Sequence, residues 1–216
     1  MVSSDVARRA RAHLRRVDPV LARVMESVGA FRPADRSSGS HFHALIRSIV
    51  FQQLSGKAAA TIHARFLALY PDGLPTPEQI LATPDEQLRG AGLSRQKIGY
   101  LRDLAARVHS GDLPLDHVDT LTDADLITHL VQVKGIGKWT AQMFLMFKLG
   151  RPDVLPDLDL GIQNAIKRAY RKRKVAPKDV LKIGAKWSPY ASVACWYLWR
   201  SLDNGDGQLA AAKKKR

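Results

Sequence analysis

Between Leu130 and Ile162 the chain reads LVQVKGIGKWTAQMFLMFKLGRPDVLPDLDLGI. Two parts of this stretch could do chemistry. In Lys134-Gly135-Ile136-Gly137-Lys138, two glycines let the backbone turn sharply and approach a ligand closely. The turn opens an apolar-periodic helix, whose first N–H groups need partners from outside. The amides of Gly135, Gly137 and Lys138 therefore suit an anion, and the positive end of the helix adds to the attraction. Lys134 and Lys138 supply charge on either side, Thr140 joins the candidate phosphate set, and Ile136 can plug the hairpin into a core. Such a grip holds a nucleic-acid backbone without reading sequence. Downstream, a Pro-bounded loop delivers Asp159 to the start of another helix, placing a carboxylate near whatever the grip holds. An ordinary helix–helix turn with incidental lysines would show the same Gly-x-Gly, and Asp159 is also a good N-cap. The two lysines, the net charge and the aspartate, taken together, favour chemistry on DNA. Asp157, two residues earlier, is the competing carboxylate.

The chain has 216 residues, 45% of them apolar, enough for one sizeable core or two small lobes. Lys and Arg total 34 against 20 Asp and Glu, a formal charge of +14. That excess implies a polyanionic partner. The single cysteine, Cys195, excludes an internal disulfide, a four-cysteine zinc site and an iron–sulfur cluster, and a reducing cytosol follows as the expected compartment. No apolar run reaches the roughly 18 residues of a membrane span, and the basic N-terminus lacks the apolar core of a secretory signal. His41, His43, His63 and His129 are scattered without paired metal spacing.

Helical periodicity dominates, so the fold class is all-α. One basic amphipathic helix is expected over 5–28, then a loop over 29–40. Helices at 41–54 and 55–70 meet around Gln52-Gln53-Leu54-Ser55-Gly56. Thr76-Pro77-Glu78-Gln79 and Thr83-Pro84-Asp85-Glu86 both read as capping boxes with proline at the first helical position. Ser94 caps a helix ending at Gly111, Thr122 caps one to Val131, and Gly137 to Leu149 is helical. Further helices run to Tyr170, from Pro177 to Lys186, and from Pro189 to Leu202, followed by a basic tail over 206–216. Leu88-Arg89-Gly90-Ala91-Gly92-Leu93 faintly echoes the Lys134–Lys138 turn.

Val131 to Ala141 resembles the helix–hairpin–helix of the DNA glycosylase superfamily that pairs this hairpin with a Gly/Pro-rich loop and an aspartate. The similarity is greatest to its alkylation-repair branch, 3-methyladenine DNA glycosylase II. It is carried by Leu45 to Ser55, Gly92 to Lys97, Gly135 to Ala141, Asp159-Leu160-Gly161-Ile162, and Trp187 to Trp199, in that order. The resemblance implies two helical lobes with an active cleft between them: a central lobe over about 55–150 and a second from 1–54 plus 151–205. It implies a monomeric base-excision repair enzyme that acts on double-stranded DNA containing damaged bases. Alkylated purines such as 3-methyladenine and 7-methylguanine would be released by hydrolysis of the N-glycosidic bond. A non-catalytic DNA-binding module, or a glycosylase for deaminated or oxidised bases, are the alternatives. A cytoplasmic, nucleoid-associated location is expected, with a nuclear one as the other possibility.

By the same resemblance Asp159 is the catalytic carboxylate, a role that an ordinary aspartate (pKa about 3.9) fills without a large shift, being ionised at neutral pH. Gln53 fills the hole left by an extruded nucleotide, although residues alone would make Gln52 and Gln53 a polar helix terminus. A cationic alkylated base suits aromatic faces. Trp139, Trp199, Phe51 and Tyr190 are the pocket candidates, while Trp187 and Trp196 read as core. Strand-nicking relatives carry a lysine where this chain has Trp139, and Lys138 would project about 100° away. A monofunctional enzyme without lyase activity is therefore expected. No cofactor is required, beyond a Na+ or K+ held by the backbone carbonyls of Val131, Val133 and Ile136. Many relatives have arginine where Ala191 stands.

Overall fold

The computed structural model describes residues 4–32 and 39–213, with side chains to residue 203. Among the described residues there are twelve α-helices, two short 3-10 turns and no strand. The fold class is all-α, as the periodicity requires. The core of the loop expected over 29–40, residues 33–38, lies outside the described residues, as do the side chains of the 206–216 tail.

The first expected helix is two. Helix α1 (Ser4–Val17) ends before Asp18, and α2 (Pro19–Val28) starts at a proline. Asp18 adopts φ −142° and accepts from the N–H groups of Val20 and Leu21, capping α2. Amphipathic periodicity continues across this break, which is why periodicity alone merges the two. Then come α3 (His41–Phe51), α4 (Gly56–Leu67), α5 (Pro77–Ala82), α6 (Asp85–Gly90), α7 (Arg95–Ser110), α8 (Asp123–Leu130) and α9 (Lys138–Phe147). Thr76 and Gln79 form both halves of the expected capping box on α5. The second box is absent: Thr83 instead closes α5, donating its hydroxyl to Gln79 O at 2.6 Å. The proline that follows Thr83 becomes the N-cap of α6, with no side-chain cap bond. Ser94 and Thr122 cap α7 and α8 as expected. After α10 (Leu160–Ala169) and α11 (Pro177–Gly184) comes α12 (Ala191–Lys213), which runs past the expected end near Leu202.

Two compact units divide the chain. The first combines the N-terminal helices with the chain from Leu145 onward. In it, α12 packs against α2 and α10, and α1 packs on α2. Leu14, Leu21, Met25, Ile162, Ile166, Trp187 and Tyr197 make its dry interior. The second unit ends at Phe144 and is organised around α7, against which α3, α5 and α6 pack. Helix α3 belongs here, not with the N-terminal helices, where a lobe boundary at residue 54 would place it. Leu45, Ile46 and Ile49 are buried on it, and it packs against α4 and α7. A helix with that broad an apolar face joins whichever elements cover it, a tertiary fact that helical spacing does not carry.

Candidate active site

The second unit presents the hairpin. Helix α8 closes through Val131 and Val133, whose N–H groups bond Ile127 O and Leu130 O. Ile136 N–H then donates to Val133 O at 3.0 Å. Val133 and Ile136 are buried, so the turn is plugged into the core as its apolar residues require. Gly135 has φ +84°, and a Cβ there would lie 2.2 Å from the Tyr100 ring. Only glycine satisfies both demands. Asp103 on α7 accepts the Lys134 N–H at 2.9 Å and sits 3.8 Å from its ammonium, while also pairing with Arg107. Lys134, Gly137 and Lys138 remain exposed, whereas Thr140 is only 9% exposed. The Thr140 side chain is largely inside.

In the same unit, the α3–α4 turn carries Gln53 in the left-handed region at φ +57°. A non-glycine residue there is uncommon and marks a turn held by its surroundings. The Lys97 ammonium donates to Val50 O at 2.7 Å and Gln52 O at 2.8 Å. Burial draws its pKa below the usual lysine value. The Gln52 amide donates to Gly135 O at 2.8 Å, tying this turn to the hairpin. Gln53 and Leu54 are exposed at the tip. Phe51 stands beside them with the Arg47 guanidinium 3.9 Å from its ring centroid and His63 edge-on. One face of its ring is thus taken by a cation. Trp139, on α9, is 45% exposed.

The first unit holds the carboxylate. Asp159 is the N-cap of α10, and its Oδ1 accepts from Ile162 N at 2.7 Å and Trp199 Nε1 at 2.9 Å. Two N–H donors thus fix one oxygen, and the side chain caps α10. At Gly161 a Cβ would lie 3.0 Å from both Asp159 Oδ1 and the Trp199 ring, so a side chain there would crowd this bond. Leu158 and Leu160 flank the aspartate as exposed apolar residues, so Asp159 lies just under the surface. Phe147 and Trp199 face one another at 5.8 Å between centroids. Asp157 is buried, and its carbonyl, not its carboxylate, receives the Gln163 amide. Trp187 is core, as expected, and Trp196 is half-buried against Phe31. Tyr190 packs edge-on against His13.

Below this site Cys195 is wholly buried, and burial, then the Asp159 and Asp153 carboxylates, push its thiol pKa up. It stays a neutral packing group. Ala191 is buried and donates its N–H to Asp153 at 3.0 Å. Asp153 also takes the Ser188 hydroxyl at 2.6 Å. Among the described residues no cluster of three or more His, Cys, Asp or Glu could hold a metal ion, and no helix is long and apolar enough to cross a membrane.

Residues 46–189 match the family described as HhH-GPD superfamily base excision DNA repair protein. The chain belongs to this superfamily. All the elements above, from α3 to the start of α12, fall within or border that match. The chain is 36% identical to DNA-3-methyladenine glycosylase 1 of Schizosaccharomyces pombe, over 96% of this chain and 92% of that one. The 3-methyladenine DNA glycosylase structure of the same yeast, in complex with abasic DNA, superposes with a TM-score of 0.79 at 37% identity. It covers 89% of this chain and 95% of that chain. A DNA-3-methyladenine glycosidase structure from Bacillus halodurans gives 0.82 at 38% identity, over 89% and 88% of the two chains. HhH-GPD membership was legible in the hairpin and the aspartate. Asp103, Lys97 and Asp153 were missed: each acts on backbone groups distant in sequence, and a lone Asp or Lys on a helix carries no local signal of that.

Proposed function

We infer that this HhH-GPD chain is a DNA-3-methyladenine glycosylase, excising alkylated bases from double-stranded DNA. The observation that carries the reading is Asp159, a carboxylate fixed by Ile162 N–H and Trp199 Nε1 beside the Trp199–Phe147 ring pair. The residue roles below are our assignment. Lys134, Gly135, Gly137 and Lys138 hold a phosphate, and the target nucleotide leaves the stack, with Gln53 filling its place. As the C1′–N bond breaks, its electron pair leaves with the base and positive charge grows on the sugar. The Asp159 carboxylate stabilises that charge and orients the water whose oxygen bonds C1′. The proton released from water passes to the carboxylate or solvent. A base alkylated on a ring nitrogen is cationic and needs little acid help, but it does favour aromatic faces, which Trp199 and Phe147 supply beside Asp159.

With tryptophan at position 139, no lysine amine is offered to C1′ there for a Schiff base, which supports a monofunctional reaction ending at an abasic site. The hairpin carbonyls of Val131, Val133 and Ile136 would hold a Na+ or K+, charge that would further favour a phosphate. Val133 O already accepts one N–H, leaving one lone pair for the ion. A monomer working in the bacterial cytoplasm on nucleoid DNA fits this set of parts.

The test is the release of free bases from methylated duplex DNA. Liberation of 3-methyladenine and 7-methylguanine is expected, and exclusive release of uracil or 8-oxoguanine would reject the cation-pocket reading. On pre-formed abasic DNA no strand cleavage is expected before alkali is added.

A further inference from the structure

The two devices of the second unit, the exposed Gln53 tip and the hairpin, are joined by hydrogen bonds that span a wide gap in sequence. The Lys97 ammonium binds Val50 O and Gln52 O, two of the three carbonyls that lead into Gln53. The Gln52 side chain reaches Gly135 O, 83 residues away. The Gly135–Ile136 peptide is therefore pinned at both ends, its oxygen by Gln52 and its N–H by Val133 O. That fixes the plane from which the next amides, at Gly137 and Lys138, project. Helix α7 contributes a second tie, because the Tyr100 ring lies against Gly135 one turn from Lys97. Gln53 itself sits at φ +57°, a conformation that costs a non-glycine residue free energy unless its neighbours hold it.

We propose that Lys97 and Gln52 are positioning residues that lock the Gln53 tip to the phosphate-gripping hairpin, so that backbone capture and base extrusion occur as one motion. This rests on the glycosylase reading above. Neither side chain is assigned a contact with the reacting atoms. Lys97 acts on the turn through two carbonyls, and Gln52 carries the link onward to the hairpin. Cutting the link would let Gln53 relax from its left-handed conformation while each half stays folded. The enzyme would still bind undamaged duplex but would extrude nucleotides poorly.

Four variants decide this: Lys97→Met, Lys97→Arg, Gln52→Leu and Gln53→Ala, each of the first three also combined with Gln53→Ala. The readouts are single-turnover release of 7-methylguanine and the fluorescence of 2-aminopurine placed beside an abasic-site analogue, which rises when the stack opens. Undamaged-duplex affinity and melting temperature are measured in parallel. Lys97→Met and Gln52→Leu are expected to slow excision tenfold or more and to damp the fluorescence rise, with duplex Kd changed less than threefold. Lys97→Arg should recover most of the rate. Added to Gln53→Ala, either change should have no further effect, because both act through that side chain. Additive losses, or full activity in both Lys97→Met and Gln52→Leu, or in Gln53→Ala, would overturn the proposal. If Lys97→Met fails to fold, Gln52→Leu, at a half-exposed turn position, carries the same decision. A wild-type enzyme that releases no alkylated base would instead reject the glycosylase reading itself.

Discussion

In the reaction proposed above, Asp159 combines two duties that can be separated by substitution. As N-cap it needs only an oxygen facing Ile162 N–H and Trp199 Nε1. Asparagine supplies that oxygen and is as good a cap as aspartate. It does not supply the charge. Asp159→Asn should therefore leave the melting temperature within about 2 °C of wild type, since a change of ~0.5 kcal/mol moves a chain of this size by little more. Excision should fall by roughly 10²–10³-fold or more, on the scale of removing one preorganised electrostatic group. Binding to an abasic-site analogue should persist. Single-turnover assays and thermal melts on the same preparation check both halves, and an undiminished rate would remove Asp159 from the chemistry. Trp199 could be picked from its family position, but its indole N–H bond to the aspartate could not, because residues 40 apart in sequence give no spacing rule.

Among the elements, those with strong local chemistry were legible. Thr76, Ser94 and Thr122 announce their helices, and the paired glycines announce the hairpin. What failed did so where a proline or a distant partner overrode periodicity: the α1–α2 break at Asp18-Pro19, the Thr83 cap that closes α5, and the placement of α3. The hairpin also contains a test of its own packing. Gly135→Ala would need a Cβ 2.2 Å from Tyr100 Cδ2 and an alanine at φ +84°. Overpacking and the left-handed backbone together should cost about 3 kcal/mol, lowering the melting temperature by roughly 6–12 °C. Adding Tyr100→Ala removes the clash but not the backbone strain. The double variant should therefore be more stable than the sum of the two single losses, as contacting residues require. Strict additivity in urea melts would show that the ring does not hold the turn.

On the scale of the whole molecule, charge and stability pull against each other. A formal charge of +14 favours DNA and opposes compaction, so apolar burial and capping within each unit have to offset the self-repulsion. Neutralising the grip with Lys134→Gln and Lys138→Gln should flatten the dependence of log K on log salt for undamaged duplex by about 1.8, at about 0.9 for each phosphate that a lysine no longer neutralises. In the first unit Asp18 is wholly buried between α1 and α2. It receives the Tyr170 hydroxyl, Trp187 Nε1 at 2.8 Å and the Lys186 ammonium at 3.2 Å, besides the amides it caps. Burial alone would raise its pKa. The bonds from Tyr170, Trp187, Leu21 and Lys186 outweigh that, and the carboxyl ends below its ordinary 3.8. A depressed folded-state pKa means that the unfolded chain binds the proton more readily. Asp18 therefore contributes its full stability above about pH 5, and this is lost as pH falls through 3.8 toward the folded-state pKa. Asp18→Asn should cost about 3 kcal/mol at pH 7, because its buried donors, the Lys186 ammonium among them, would face an uncharged amide. It should also remove part of the acid lability: between about pH 5 and pH 3 the urea midpoint should drop less in the variant than in wild type. Parallel slopes over that range would mean that Asp18 is not the group whose protonation loosens the α1–α2 junction from α10 and Trp187.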